Sequence, residues 1–233
     1  AMFDLADDRA HFLALLTGRS LAGEVEADDV RGILDAVAAA DAEEEHFTAA
    51  HESVRRRITK DYGFALNGED AASLRRAHRA FFEGGLDIRF ELKQNSFRRY
   101  PSLRELALAT SPAGQRKGFL ARDELFRRVQ RMQRENRIVP VVGNFGGDRT
   151  FPALAKLLRE RELTLRSFYV SNVEQYLMAD GLWSKWKRNV AALPVDEKSV
   201  FIRGYLDQGR RHPRQMKGHR TATTLHRVVD FNR

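Results

Sequence analysis

The chain has 233 residues, 42% hydrophobic and 31% charged, a balance that suits one medium-sized globular domain and excludes a largely disordered chain. No cysteine is present, which excludes disulfides, thiol nucleophiles and cysteine-based zinc sites. No run of about 18 apolar residues occurs, which excludes a transmembrane helix. The net charge of +8 is unevenly spread: residues 1–52 carry 13 acids and three bases, so the rest of the chain is strongly basic. Eight Arg/Lys fall within 116–137 and five within 210–220. Two readings suit this asymmetry: acidic front packed near basic back, or solvated faces. A basic surface also attracts phosphate-bearing partners, so phosphate-driven nucleic-acid binding is kept as a further reading.

The first 85 residues read as a helical front layer. Phe12, Leu13, Leu15 and Leu16 share a stretch that Gly18 stops. Val30, Ile33, Leu34 and Val37 form a stripe in 28–40, and Phe47, Ala50, Val54 and Ile58 form another in 43–62. Asn67 is placed to cap a helix through Leu74, Ala77, Phe81 and Phe82, ended by Gly84-Gly85.

Between 86 and 136 the reading is a strand and two helices. Residues 86–92 alternate strictly, which predicts a half-buried strand. Ser102-x-x-Glu105 is a capping box opening a short helix. Residues 121–136 form a longer helix through Leu125, Phe126, Val129 and Met132, with arginines on its other face.

From 137 onward the pattern is α/β. Ile138 to Val142 predicts a strand despite Pro140, ending in a glycine-rich turn at 143–147. A helix capped by Thr150 follows, then a strand over 163–170. Ser171-x-x-Glu174 reads as a capping box opening the next helix, and Trp183, Trp186 and Val190 mark another. A strand over 199–206 and a candidate fourth over 223–229 complete the chain. Alternating strands and helices imply a parallel sheet covered by helices. No clean linker interrupts the chain, so 1–233 reads as a single domain with blocks 1–85, 86–136 and 137–233.

Ligands of open α/β sheets bind beyond the carboxyl ends of the strands. Two such ends are polar here, at 141–148 and 168–176, and they are expected to open into one shared hollow. In the first, Gly143 allows close backbone approach and Asn144 offers an acceptor. In the second, Ser171, Asn172, Glu174, Gln175 and Tyr176 crowd one strand-to-helix junction, where Ser171 and Glu174 have the alternative duty of capping. No HExxH or other metal-ligating spacing and no GxSxG is present, so no metal site or hydrolase is expected.

Taken together, YGFALNGED (62–70), AFFEGGLD (80–87), YPSLRELALAT (100–110), RIVPVVGNFGG (137–147), FYVSNVEQYL (168–177) and VFIRGY (200–205) resemble a family of bacterial proteins with a class I S-adenosylmethionine-dependent methyltransferase-like fold. That resemblance implies a partial Rossmann-like parallel sheet with a helical N-terminal half. It implies that Gly143, Asn144 and Phe145 lie beside the adenosine of S-adenosylmethionine. It puts Ser171, Asn172 and Gln175 against the methyl acceptor and makes Glu174 or Tyr176 the group that takes a proton. Asn144 stands where the family pattern carries Asp. The family's upstream glycine-rich cofactor segment has no counterpart here; Ala1 reads as a tag remnant and Met2 as a start. The sequence therefore leaves two functions open: a methyltransferase-like protein, truncated or inactive, or a non-catalytic interaction protein on the same fold. A sheet lacking its front strands exposes apolar faces, so homo-oligomerisation is also expected. With no secretory leader read, the location expected is cytoplasmic.

Overall fold

A computed structural model describes residues 1–21, 23, 25, 29–91, 99–207 and 209–231. The protein is a mixed α/β chain that gathers into two compact units, 1–139 and 140–233. The division falls beside the junction between helical and α/β sequence at 136/137.

The first unit is helical. Its α-helices are α1 (Met2–Leu5), α2 (Arg9–Thr17), α3 (Val30–Ala39), α4 (Glu44–Arg56), α5 (Gly68–Gly84), α6 (Leu103–Leu108) and α7 (Asp123–Arg134). Two expected caps are present in full: Asn67 with Asp70 at α5, and Ser102 with Glu105 at α6. The stripe of α3 is buried entirely, with Val30, Ile33, Leu34 and Val37 against Phe12, Leu13 and Leu86. Phe3, Phe12, Phe119 and Phe126 form one ring cluster with centroids 4.5–5.8 Å apart. Buried Gln130 on α7 donates to the carbonyls of Phe3 and Ala6, both at 2.8 Å, and so ties α7 to α1.

Within this unit the acidic front does meet basic segments. Asp4 pairs with Arg57 and Arg134, Asp29 with Arg116, and Asp35 with Arg104. Over 86–91 the strand expected at 86–92 does not form: Gly85–Asp87 is a turn of 3-10 helix, and Ile88–Glu91 has no ladder partner among the described residues. Leu86 drops into the helical core, and the Ile88 carbonyl accepts from the Leu103 amide. Alternation alone cannot make a strand without a second strand to pair with. Leu92 lies outside the described residues.

The second unit contains α8 (Thr150–Glu160), β1 (Ser167–Ser171), α9 (Val173–Ala179), α10 (Trp183–Ala191), β2 (Val200–Leu206) and β3 (Thr221–Arg227). The sheet order is β1-β2-β3. β1 and β2 are parallel, as the β-helix-β order requires, with Phe168 opposite Phe201. β3 returns antiparallel to β2, so the sheet is mixed rather than wholly parallel. The strand expected over 138–142 is missing from this described sheet: Pro140 has no amide donor, and Val142 is 100% exposed. The strand expected over 163–170 shortens at its front, where Leu163 is exposed. Thr150 is the first helical residue of α8, and Arg149, rather than Thr150, occupies the cap position. Helix-side core residues are Phe151, Ala155, Val170, Leu177, Trp186, Val190 and Phe201. Among the described residues no helix is long and apolar enough to cross a membrane, and no group of three or more His, Asp or Glu could hold a metal ion.

One polar pair in the first unit has a testable consequence. His51 on α4 and His78 on α5 are buried, their Nδ1 atoms 3.3 Å apart, and His78 Nε2 lies 2.9 Å from the Leu15 carbonyl. A carbonyl only accepts, so His78 carries its proton on Nε2 and His51 donates through Nδ1. Burial holds both imidazoles below their usual pKa, and for His51 the positive fields of His78 and Arg75 add to it. The unfolded chain takes up these protons near pH 6.5 while the fold resists them. The stability this pair supplies is therefore complete above about pH 6.5 and is lost as pH falls toward the depressed folded values. The urea midpoint is expected to drop between about pH 6.5 and pH 5, and to drop less in a His51→Leu variant. A midpoint flat across that window would contradict the burial of both imidazoles in their neutral form.

Candidate functional site

The junction after β1 is the most polar place in the second unit. Ser171 ends the strand with φ +54°, a left-handed conformation unusual for a residue with a side chain. The β1–β2 register slips between Tyr169 and Ser171, and this bulge turns the chain toward α9. Gly204 on β2 permits it, because a Cβ there would stand 3.0 Å from the Ser171 backbone. The capping box expected at Ser171-x-x-Glu174 is not formed. Asn172 takes the cap position without a side-chain bond, and Ser171 Oγ donates to Asn172 Oδ1 at 3.3 Å.

Freed from capping, Glu174 points inward and is 5% exposed. Its Oε1 accepts from the indole Nε1 of Trp186 at 3.1 Å, and its Oε2 accepts from Arg203 Nε at 2.6 Å. Each carboxylate oxygen therefore has a fixed donor. The Arg203 guanidinium also lies 5.4 Å from the ring centre of Phe231. Arg203 faces the same side as Phe201 by strand alternation, which is why a charge sits on the helix-covered face at all.

Gln175 turns to the sheet edge, where its amide donates to the Leu206 carbonyl and accepts from the Leu206 amide, both at 2.9 Å. The side chain thus continues the β ladder beyond the end of β1. Tyr176 is 54% exposed and has no partner among the described residues.

The glycine-rich turn is built by internal contacts. A Cβ on Gly143 would overlap the Thr150 hydroxyl. Asn144 Oδ1 accepts from the Gly146 amide at 2.8 Å, closing its own turn. The ring of Phe145 sits 5.3 Å from Phe151 and 5.5 Å from Trp186. Buried Asn189 on α10 donates to the carbonyls of Phe145 and Gly147, at 2.8 and 2.9 Å.

The two turns are joined through Trp186, which touches Phe145 from one and receives Glu174 from the other. Where the sequence predicts a shared hollow, the contacts joining the turns are those of a filled aromatic core: Phe145, Phe151, Phe168, Trp186 and Phe201. Sequence reasoning missed Arg203 and Asn189 as members of this arrangement. Each carried a signal: a charge on the inward face of a strand, and an amide beside Val190 on the apolar face of α10.

Against this geometry, the family model described as a domain of unknown function (DUF7790) matches residues 33–233. The chain belongs to that family. The match spans both units, from within α3 to the last residue. No curated protein matches the chain.

Two outcomes follow from these contacts. Glu174→Ala strands both Arg203 and the Trp186 N–H, and is expected to cost about 2–3 kcal/mol, less than a wholly buried pair because Arg203 keeps some water. Glu174→Gln, which still accepts from the indole, is expected to cost less; urea denaturation followed by tryptophan fluorescence measures both. Asn189→Ala leaves two carbonyls without their donor and is expected to cost about 1–3 kcal/mol. Hydrogen exchange at the Gly146 and Gly147 amides should quicken in that variant, and unchanged exchange would show that Asn189 does not hold the turn.

Proposed function

We propose that this chain is a non-catalytic interaction protein whose second unit is a methyltransferase-like α/β layer. The observation that carries this reading is Glu174, the acid nominated for proton transfer. A general base needs a lone pair within reach of substrate, and both Glu174 oxygens face fixed donors inside the core. The groups nominated to hold S-adenosylmethionine also fit it poorly. Thr150 fills the side of Gly143, Asn144 satisfies its own turn, and the ring of Phe145 lies in the aromatic cluster. Gln175 is occupied at the end of β2 rather than offered to an acceptor. The partial Rossmann-like character rests on the parallel β1–β2 pair and on the family resemblance of 168–177.

A methyl-transfer reading keeps one favourable observation. Tyr176 is exposed on the same helix, beside Asn172 and Ser171, and a phenol can move a proton. Calorimetric titration with S-adenosylmethionine separates the two. The interaction reading expects no saturable heat and no thermal shift at roughly millimolar cofactor, the upper end of ordinary substrate affinities. Saturable binding that a Phe145→Ala variant weakens would overturn it in favour of the methyltransferase.

A further inference from the structure

The sheet ends in an arm. β1 stops pairing at Arg203, so Gly204, Tyr205 and Leu206 are laddered to Thr223, Ala222 and Thr221 alone. Beyond them the connection between β2 and β3 carries a tip whose described residues are 207 and 209–220. Gln175 secures the root of this two-stranded ribbon by holding both backbone groups of Leu206. The tip is ordered by its own polar bonds. The Asp207 amide donates to the Arg220 carbonyl at 2.8 Å. Gln215 Nε2 donates to Asp207 and to the His219 carbonyl, and its Oε1 accepts from the His212 amide. The Tyr205 hydroxyl donates to the Arg210 carbonyl, with the His212 ring 5.3 Å from that of Tyr205.

This frame presents five cations, Arg210, Arg211, Arg214, Lys217 and Arg220, all exposed. None of them has a carboxylate at ion-pair distance among the described residues. The one acid at the tip, Asp207, is bonded to Gln215 and to the Gly209 amide, and these bonds, with the more distant fields of Arg220 and Arg211, lower its pKa. The positive field reaches back along the ribbon: burial first, then Arg203 and Arg214, hold the His226 imidazole below its usual pKa. On α7, Arg127 is paired with Asp123 and Arg134 with Asp4, while Arg128 and Arg131 are exposed and have no ion pair among the described residues.

We propose that the β2–β3 ribbon is an arm that docks on duplex DNA, seating Arg210, Arg211, Arg214, Lys217 and Arg220 on its phosphates. This rests on the interaction-protein reading and names its partner. A two-stranded ribbon is the width that a B-form major groove admits, whereas the A-form groove of RNA is too narrow. An anionic membrane is the poorer match: Met216 is the only large apolar side chain from 209 to 220, and interfacial anchoring needs more. No Phe, Tyr or Trp lies between 209 and 220, and the His212 ring is already set against Tyr205, so recognition is of phosphate and groove shape rather than of unstacked bases.

The test is fluorescence anisotropy of a labelled random-sequence DNA duplex with the full chain. If at least three of the five cations seat on phosphates, log K falls against log salt with a slope of about −2.7 or steeper, roughly 40-fold between about 50 and 200 mM salt. Replacing all five with alanine is expected to weaken binding by about tenfold or more at low salt and to flatten the slope below about 1 in magnitude. These side chains are exposed and unpaired, so the fold should survive; the double variant R211A/R214A, with a partial loss expected, guards against failure of the larger one. R128A/R131A on α7 should bind within about twofold of the natural chain, as a control for charge alone. No binding at low salt, or a five-alanine variant that binds as tightly as the natural chain, would overturn the proposal. Tighter binding to an RNA duplex or to phosphatidylserine vesicles than to DNA would overturn it as well. Failure here leaves the cofactor titration untouched: a chain that bound both S-adenosylmethionine and DNA would refute the non-catalytic reading while keeping the arm.

Discussion

A carboxylate buried among aromatic rings is the constraint from which the second unit is organised. Glu174 loses its water in the core, and an ion in that position is tolerated only where fixed donors replace hydration. Trp186 and Arg203 do so from two further elements, α10 and β2, so one side chain holds a helix, a second helix and a strand together. The indole it orients is completely buried and meets Phe145, Phe151, Phe168, Phe201 and Phe231. The geometry of the core therefore follows from a polar bond, and the apolar rings fill the space around it. The same bonds place a donor on each oxygen of a carboxylate that is 5% exposed.

The first unit uses polar groups in a similar way. Gln130 closes two carbonyls that α1 leaves open, Asp4 gathers Arg57 and Arg134, and the two histidines share one hydrogen bond between α4 and α5. Aliphatic and aromatic packing supplies most of the stabilisation in such a helical layer, but it is weakly directional. The buried hydrogen bonds select one arrangement, since every alternative would leave a buried donor or acceptor unmatched.

The polar cluster at 171–176 divides its duties. Ser171 absorbs a bulge, Glu174 anchors the core, Gln175 extends the sheet edge, and Tyr176 faces solvent. That division links the junction to the arm: the residue that prolongs the ladder past β1 also steadies the ribbon's root. A crowded row of polar side chains is then the means by which a short sheet ends in a stiff, basic projection.

Local chemistry was readable from the residues alone. The caps at Asn67 and Ser102, the buried stripe of α3, the mixed α/β character after residue 137 and the unneutralised charge of 210–220 each depend on neighbours within a few positions. The failures share a cause. The alternating run after Gly85 and the apolar run at 138–142 satisfy the pattern of a strand, yet a strand exists only where another supplies hydrogen bonds. Ser171-x-x-Glu174 satisfies the pattern of a capping box, yet Trp186 and Arg203 claim the glutamate from twelve and twenty-nine residues away. The sequence determined which segments could be helical, apolar or charged; only the tertiary structure decided which partner each polar group would take, because burial makes an unmatched distant partner cost more than a forgone local one.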